Sequence, residues 1–326
     1  MGTARPKLSV VVCCFNMRRE APRTLLSFTR AYQRGVEDLD YEVIVIENGS
    51  AEPLDEASVT GLGPEFSYHY LETRSVSPVA AMNEGVRRSR GEFVMLCIDG
   101  ARILSPGALR ESVRASLCHP RPVAAILSWH LGPQPQDRAA KTAYTQAVED
   151  RLLEESGWLE DGYRLFVCSC FATSSEGGWF LPIGESNALT LSREFFDALG
   201  GLDERFESAG GGLANLDLFE RACATEGSQL VVLLGEGTFH QMHGGVSTNA
   251  PLGQSPWGRF AEEYEAIRGR AYEKPNVEPL FLGMLPPQAV PHLVQSAEAV
   301  GRHGGGALDG TRRGVRGLIL RLLGET

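Results

Sequence analysis

Two kinds of hydrophobic pattern alternate over the first 120 residues. Unbroken apolar runs rich in β-branched residues occur in LSVVVCCF, YEVIVIENGS and EFVMLCIDG, and FSYHYLETR alternates as a shorter strand. Between them, segments such as SPVAAMNEGVRRSRG place apolar residues at helical spacing. Strands that alternate with helices are typical of a parallel sheet covered on both faces. We therefore predict an α/β protein with a mostly parallel sheet flanked by helices.

One more helix completes this region, and from there to about residue 178 the pattern weakens but still predicts further elements. SPGALRESVRASLCHP predicts a helix with Ser105 as its N-cap, and AAILSWHLG predicts a strand. DRAAKTAYTQAVEDRLLEESGW predicts one amphipathic helix, and YRLFVCSCFA predicts another strand. A helix from about Asn215 to Glu226 and the strand QLVVLL follow, and we predict that TFHQMHGG after this strand is a loop.

Composition excludes some classes of protein. The chain has 326 residues, with 31 lysines and arginines against 41 acids and a net charge of −10, which disfavours binding to nucleic acid. The seven cysteines lack zinc-ribbon spacing, and several lie in apolar runs, as reduced thiols do in a cytoplasmic protein. No apolar run approaches the roughly 20 residues of a membrane-spanning helix. We predict a cytoplasmic protein without a nucleic-acid partner.

Polar residues follow three of the predicted strands. These clusters are 14–16, 47–50 and 99–102, and the carboxyl ends of parallel strands form the edge of a sheet where ligands bind. An acid there, such as Asp99, can orient ribose hydroxyls or hold a divalent cation that neutralises a diphosphate. The alternative is that Asp99 closes a turn or caps a helix.

Four motifs together resemble a known family. LSVVVCCFN, YEVIVIENGS, SPVAAMNEGVRRSRGEFVMLCIDGARILSP and REFFDALGGLDERF with GGGLANLDLFERA are similar, in order and spacing, to the nucleotide-sugar glycosyltransferases of family 2. The resemblance covers roughly residues 7–226. It implies a GT-A fold with a Rossmann-like sheet, a nucleotide-sugar-binding half at 1–120, an acceptor-binding half at 121–250 and a C-terminal extension at 251–326.

The resemblance also implies an activity of the hexosyltransferase type. A sugar would pass from a UDP- or GDP-linked donor to a hydroxyl of a sugar, a lipid-linked molecule or a natural product. The basic, amphipathic segment TRRGVRGLILRLLGET either lies on an anionic membrane, as a peripheral contact at its inner face, or docks on the domain. The alternative function is a non-catalytic protein that binds a nucleotide sugar or regulates a partner.

Residue by residue, the resemblance assigns the donor site. Phe15 would lie against the base, Glu47 would accept an N–H of uracil or guanine, Arg74 would face the diphosphate, and Asn83 would line the cleft. The alternatives are solvation for Arg74 and helix packing for Asn83. The full set of predicted donor-binding residues is Phe15, Asn16, Glu47, Asn48, Arg74, Asn83, Asp99 and Arg102.

The chain departs from the family pattern at the metal motif. Asp99 matches the first acid of this motif, but Ala101 and Arg102 stand where the family has its second and third acids. Arg102 could itself neutralise a diphosphate. HQMHGG is similar to a stretch of the polypeptide N-acetylgalactosaminyl transferases, which implies that His243 joins Asp99 on Mn²⁺ or Mg²⁺, with His240 as its neighbour. The alternatives are a metal-independent enzyme and loop histidines bonded to the backbone.

The catalytic base is the second departure. Asn215 stands where the family has a catalytic acid, and an amide can bind but cannot accept a proton. The nearest acids are Glu185, in the loop GESNALTLS, Glu207, and Asp217, whose alternative role is at the start of a helix. A retaining mechanism without an enzyme base stays open. Trp179 and Phe180 either stack on an acceptor sugar or lie in the core.

Overall fold

Ten strands form one sheet in the computed structural model, which describes residues 5–139, 144–244 and 256–303. The strands are β1 (Leu8–Cys14), β2 (Tyr41–Asn48), β3 (Phe66–Leu71), β4 (Phe93–Cys97), β5 (Arg102–Leu104), β6 (Pro122–Leu131), β7 (Ser169–Phe171), β8 (Leu189–Ser192), β9 (Gln229–His240) and β10 (Leu280–Gly283). They are ordered β10-β9-β6-β8-β4-β1-β2-β3, with β5 paired to β9 and β7 to β6.

Helices connect these strands and cover the sheet. They are α1 (Ala21–Leu26), α2 (Glu56–Thr60), α3 (Val79–Arg88), α4 (Ala108–Ser116), α5 (Gln136–Ala139), α6 (Gln146–Ser156), α7 (Arg193–Ala198), α8 (Ala214–Ala224), α9 (Trp257–Arg268) and α10 (Val290–His303). Within the described ranges, no helix combines the length and the apolarity that a membrane crossing requires. The segment TRRGVRGLILRLLGET lies outside the described residues.

The sheet has a hydrophobic core on each face. β1 pairs in parallel with β2 and β4, and β2 with β3, whereas β8 is antiparallel to both of its neighbours. Alternate residues point to opposite faces, so Val11 and Ile44 belong to one core while Val10 and Val43 belong to the other. The predicted α/β fold with a mostly parallel sheet is confirmed.

Three local predictions were wrong. The segment predicted as a strand from Tyr163 begins as a 3₁₀ helix and contains only the three-residue β7. Thr145 accepts a bond from Val148 N–H as the N-cap of α6, so the single helix predicted from Asp137 to Trp158 is at least two helices. Ser105 does not cap α4, because its hydroxyl bonds Glu236 and the helix begins after Gly107.

Strand register brings distant segments to one edge of the sheet. Cys14 lies opposite Glu47, so the segments that follow β1 and β2 emerge side by side. β9 runs to His240, which pairs with Arg102 on β5 and with His130 on β6. The end of β9 therefore lies beside the segment that follows β4. One sheet contains strands from both predicted halves, and the boundaries at residues 120 and 250 stay a prediction.

Candidate active site

A cavity of about 590 Å³ opens at this edge of the sheet. Residues from both predicted halves line it, which places donor-side and acceptor-side groups around one space. The predicted residues that line the cavity are Phe15, Asn16, Asn48, Asp99, Arg102, Glu185, Asn215, His240 and His243. Four other predicted residues, Glu47, Arg74, Asn83 and Asp217, do not line it.

Three side chains with metal-ligating atoms meet in this cavity. His240 Nε2 lies 3.0 Å from Asp99 Oδ2 and 3.0 Å from His243 Nε2. His243 Nε2 lies 3.7 Å from Asp99 Oδ2. The ligand atoms of these three residues all lie within 4.8 Å of one another, which is close enough for them to hold one metal ion. His240 is the last residue of β9, so the prediction that it lies in a loop was wrong.

A buried glutamine that the sequence analysis missed fixes the imidazole of His240. Gln136 Nε2 donates to the backbone carbonyl of His240 at 2.9 Å, and a carbonyl can only accept. Gln136 Oε1 therefore faces His240 Nδ1, at 2.5 Å, and accepts a hydrogen bond from the Nδ1–H group. In the neutral ring, Nε2 then carries a lone pair that points at Asp99 and His243. Either a proton on His243 or a metal cation satisfies this cluster of lone pairs.

Burial and charge set the protonation of the three groups. Burial, followed by the positive charge of Arg102, lowers the pKa of His240 to about 4, so its ring is neutral at pH 7. Burial opposes ionisation of Asp99, but the neighbouring His243 holds the pKa of that carboxyl well below its usual range. Burial would lower the pKa of His243, but the Asp99 carboxylate outweighs it and raises that pKa. At neutral pH the site therefore offers a carboxylate and a neutral imidazole.

Arg102 adds a positive charge to the same wall. Its Nε lies 3.3 Å from Asp99 Oδ2 as an ion pair. Nε and Nη1 of Arg102 are buried without a hydrogen-bond partner. Buried guanidinium donors are costly to leave unpaired, and phosphate oxygens are acceptors that suit their geometry. The wall around Asp99 is therefore suited to an anion as well as to a cation.

Two further residues hold the turn that carries His243. Glu149 on α6 accepts a bond from Met242 N–H at 2.7 Å. Arg19 donates to the carbonyl of Met242 at 3.1 Å and to Glu149 at 3.3 Å. Both backbone groups of the residue before His243 are thus fixed. Neither contact was evident from the sequence, because the partners are far apart along the chain.

Glu185 and Asn215 form a hydrogen-bonded pair that also lines the cavity. Asn215 Nδ2 donates to Glu185 Oε2 at 2.8 Å and to the carbonyl of Ser186 at 3.3 Å. Asn215 lies at the start of α8, as predicted, and is buried, whereas Glu185 is partly exposed. The amide of Asn215 thus orients a carboxylate in the cavity. This is the one predicted base that the structure brings to the site.

The cavity wall formed by the segments after β1 and β2 is organised by a chain of hydrogen bonds. Asn16 has a φ of 53°, a conformation that asparagine tolerates better than most residues, and its N–H donates to Ser50 Oγ at 2.7 Å. Ser50 in turn donates to Glu47. Ala51 N–H donates to Asn16 Oδ1 at 3.0 Å. Phe15 is exposed beside this turn and lines the cavity.

The structure gives Glu47, Arg74 and Asn83 other positions. The Glu47 carboxylate is buried and bonded by Ser50 and by Leu54 N–H at 3.0 Å, so it supports the turn at Asn16. Arg74 is exposed outside the cavity. Asn83 bonds both backbone groups of Leu202, which supports the helix-packing alternative.

Asp217 belongs to a buried ion-pair network. Its Oδ1 accepts from Arg268 Nε at 2.5 Å, and its Oδ2 accepts from Arg221 Nε at 2.8 Å. The carboxylate is fully buried and does not line the cavity. The structure thus places Asp217 in the packing of α8 against α9.

We expect Asp217→Asn to reduce the free energy of unfolding by about 3 kcal/mol, because the change leaves the partly buried guanidinium of Arg221 without its counter-charge and leaves Arg268 paired with Asp203 alone. Urea denaturation would measure this loss. Asp197→Asn, at an exposed position of α7, is the control and should stay within about 0.5 kcal/mol of the parent. Activity per folded molecule should not change, and a fall in kcat at unchanged stability would contradict the structural role.

The two aromatic residues considered for acceptor binding lie elsewhere. Trp179 is buried, contacts the Trp129 ring and donates its indole N–H to the carbonyl of Leu233 at 3.1 Å. Phe180 packs against Phe281 of β10, outside the cavity. The alternative of core packing is therefore correct for Trp179.

Comparisons with known proteins agree with this fold. The family model described as glycosyl transferase family 2 matches residues 9–174. No curated protein matches the chain. The crystal structure of S. aureus TarS has a TM-score of 0.51 and 15% identity, over 92% of this chain and 44% of that one. A crystal structure of TarS 1-349 has a TM-score of 0.49 and 16% identity, over 93% of this chain and 73% of that one.

These findings differ in what they show. The TM-score of 0.51 shows a likeness of fold between this chain and TarS, and an identity of 15% supports no conclusion beyond the fold. The family match covers half of the chain, from the second residue of β1 to just beyond β7, and includes Asp99 and Arg102. It ends before Glu185, Asn215 and the two histidines, so their arrangement is evidence from this chain alone. The chain belongs to glycosyl transferase family 2 and is a glycosyltransferase that uses a nucleotide-sugar donor.

Proposed function

We propose that this glycosyltransferase moves a sugar from a UDP- or GDP-linked donor to an acceptor hydroxyl, with a divalent cation held by Asp99, His240 and His243. The observation that carries the proposal is the meeting of these three ligand atoms beside Arg102 in one cavity. We further propose a cytoplasmic location for the enzyme.

The three side chains fit a divalent cation. One carboxylate oxygen and two imidazole nitrogens suit metals such as Mn²⁺, which accepts both ligand types. Metal–ligand bonds of about 2.0–2.2 Å place neighbouring ligand atoms roughly 3 Å apart, close to the separations between these atoms. A bound cation would neutralise charge on the leaving diphosphate. The likeness of HQMHGG to the polypeptide N-acetylgalactosaminyl transferases supports His243, and the 3.0 Å distances from His240 Nε2 to Asp99 Oδ2 and to His243 Nε2 support His240 as a third ligand.

The donor would bind along the wall between Phe15 and Arg102. The exposed ring of Phe15 offers a stacking surface for a nucleotide base. Asn16, the residue after Phe15, and Asn48 also line the cavity, and the Asn48 amide donates to the carbonyls of Ser75 and Ser77. Arg102, with buried donors that lack acceptors, would bind the diphosphate. We assign this role to Arg102 and not to Arg74, because only Arg102 lines the cavity.

Glu185 would serve as the general base. Transfer with inversion requires a group that takes the proton of the acceptor hydroxyl, and Glu185 is a carboxylate that lines the cavity. Asn215 would hold the carboxylate in place. This pair replaces the acid that the family has at position 215. A carboxylate placed in this way favours a catalytic protein over the non-catalytic alternative.

Calorimetric titration of UDP and GDP into the purified protein, with and without Mn²⁺, tests the proposal. We expect one nucleotide to bind, and to bind at least tenfold more tightly with Mn²⁺, because the cation and the diphosphate neutralise each other. Hydrolysis of the matching nucleotide sugars should then reveal the donor. If neither nucleotide binds to protein whose fold is verified by circular dichroism, the proposal is wrong.

A further inference from the structure

One large aromatic side chain lines the cavity and is not explained by donor binding. Trp257 is the first residue of α9 and is 52% exposed. The other three tryptophans, Trp129, Trp158 and Trp179, are at most 5% exposed. Phe260, one helical turn further along α9, is buried and lines the same wall. Thus α9 presents an aromatic wall to the space that Glu185 also faces.

A turn of three consecutive glycines forms the neighbouring surface. Gly210, Gly211 and Gly212 have φ values of 71°, 85° and 53°, which glycine adopts without strain. A Cβ on Gly212 would lie 2.6 Å from the carboxylate of Glu263, so a side chain there would push the turn away from α9. The cavity wall next to Phe260 is therefore backbone at this turn and carries no side chain into the cavity.

Hydrogen bonds hold this turn and α9 together. The Glu263 carboxylate on α9 accepts from Glu207 N–H at 2.9 Å and from Ser208 N–H at 2.8 Å. Gly210 N–H donates to the carbonyl of Val76 at 3.0 Å on the other side. The aromatic wall and the glycine turn are thus fixed relative to each other. Such a surface is set before a ligand arrives, which lowers the entropy cost of binding.

The polar groups near this surface indicate what binds there. Glu185, Asn187 and Asn215 line the same cavity and offer a carboxylate and two amides. Asn215 already donates to Glu185, and Asn187 donates to Ser128. An acyl chain would still remove water from the Glu185 carboxylate and offer it no donor, which is costly, so these polar groups disfavour an acyl chain. A pyranose ring matches them, because its hydroxyls form hydrogen bonds while its C–H face packs on an aromatic ring.

We propose that the acceptor is a glycoside whose sugar ring packs on Trp257 and whose reacting hydroxyl reaches Glu185. This inference rests on the proposed function, since it places the acceptor in the cavity that would hold the nucleotide sugar. It names a carbohydrate as the acceptor in preference to a lipid alcohol or a serine or threonine side chain. Trp257 would act in binding and would not take part in the chemical step.

The single exposed tryptophan provides a direct test. A collisional quencher such as acrylamide reaches Trp257 far more readily than the three buried tryptophans. We expect methyl pyranosides and short oligosaccharides to protect the fluorescence from quenching when UDP or GDP and Mn²⁺ are present. Octanol and a serine-containing peptide should not protect it. The variant Trp257→Phe should lose the quenchable signal but still bind the same sugar by calorimetry.

Kinetics provide the second readout. Trp257→Leu should raise the acceptor KM about tenfold, because it removes the aromatic contact, and should change kcat at saturating acceptor by much less than it changes KM. Phe281→Leu, at an exposed aromatic residue of β10 outside the cavity, is the control and should change neither quantity. If the peptide or octanol protects Trp257, or if no sugar does while the nucleotide still binds, the glycoside acceptor is wrong. Failure of every nucleotide to bind would instead overturn the proposed function.

Discussion

Asp99→Asn is expected to abolish the effect of Mn²⁺ on nucleotide binding and to lower the transfer rate by about 10³-fold. In the parent protein the carboxylate of Asp99 balances the guanidinium of Arg102, and His240 is neutral. Replacing the carboxylate with an amide removes the only negative charge among the three ligands, and the charge of Arg102 then makes the site net positive. A cation would then be repelled, and the several kcal/mol of transition-state stabilisation that it supplies would be lost.

Calorimetry of UDP or GDP with and without Mn²⁺ would measure the first effect, and initial rates with the matching donor would measure the second. Asp55→Asn is the matched control, since Asp55 caps α2 at an exposed site outside the cavity and asparagine is an equally good cap. If Mn²⁺ strengthens nucleotide binding as much in Asp99→Asn as in the parent, the three residues do not hold the cation.

The strand pattern predicted the cavity residues that lie at the carboxyl ends of the parallel strands. β1, β2 and β4 are buried on both faces, so each appears in the sequence as a continuous apolar run that ends in polar residues. Parallel pairing then brings those ends to one edge of the sheet, and this does not depend on the conformation of the loops. Phe15, Asn16, Asn48, Asp99 and Arg102 therefore reach the cavity as expected.

Side-chain partners that come from far along the chain could not be predicted in this way. The sequence places Asp217 at the start of a predicted helix. In the structure its carboxylate accepts a hydrogen bond from Arg268, which lies 51 residues later. Gln136 lies 104 residues before His240, in a segment whose prolines predict only a turn. Such contacts depend on how α9 and the end of β9 pack, which hydrophobic periodicity does not determine.

Local competition for hydrogen bonds explains Glu47. Its motif suggested a base contact, yet Ser50, three residues later, bonds the carboxylate and in turn accepts from Asn16 N–H. The NGS turn that ends β2 thus uses the acid to organise the loop after β1. A signal was present in the sequence, since a serine three residues after an acid in a turn is well placed to bond it. Glu47 would therefore affect donor binding only indirectly, by holding Ser50 and the turn at Asn16 in place.

The second large effect is expected for Glu185→Gln, which should lower kcat by about 10³-fold while nucleotide affinity stays unchanged. Glutamine keeps the shape of the side chain and can still accept the bond from Asn215, but it cannot take a proton from the acceptor. Steady-state kinetics with saturating donor, together with calorimetry of the nucleotide, would separate the two quantities.

The pairing of Glu185 with Asn215 allows a rescue experiment. Because the two side chains are 2.8 Å apart, the double variant Glu185→Gln with Asn215→Asp exchanges the amide and the carboxylate within one hydrogen bond. We expect this variant to recover part of the lost kcat, since a base is again present at almost the same position. If Glu185→Gln instead retains the parental kcat, the enzyme has no base at this position. A product with the anomeric configuration of the donor, determined by NMR, would then indicate that the leaving diphosphate itself removes the acceptor proton.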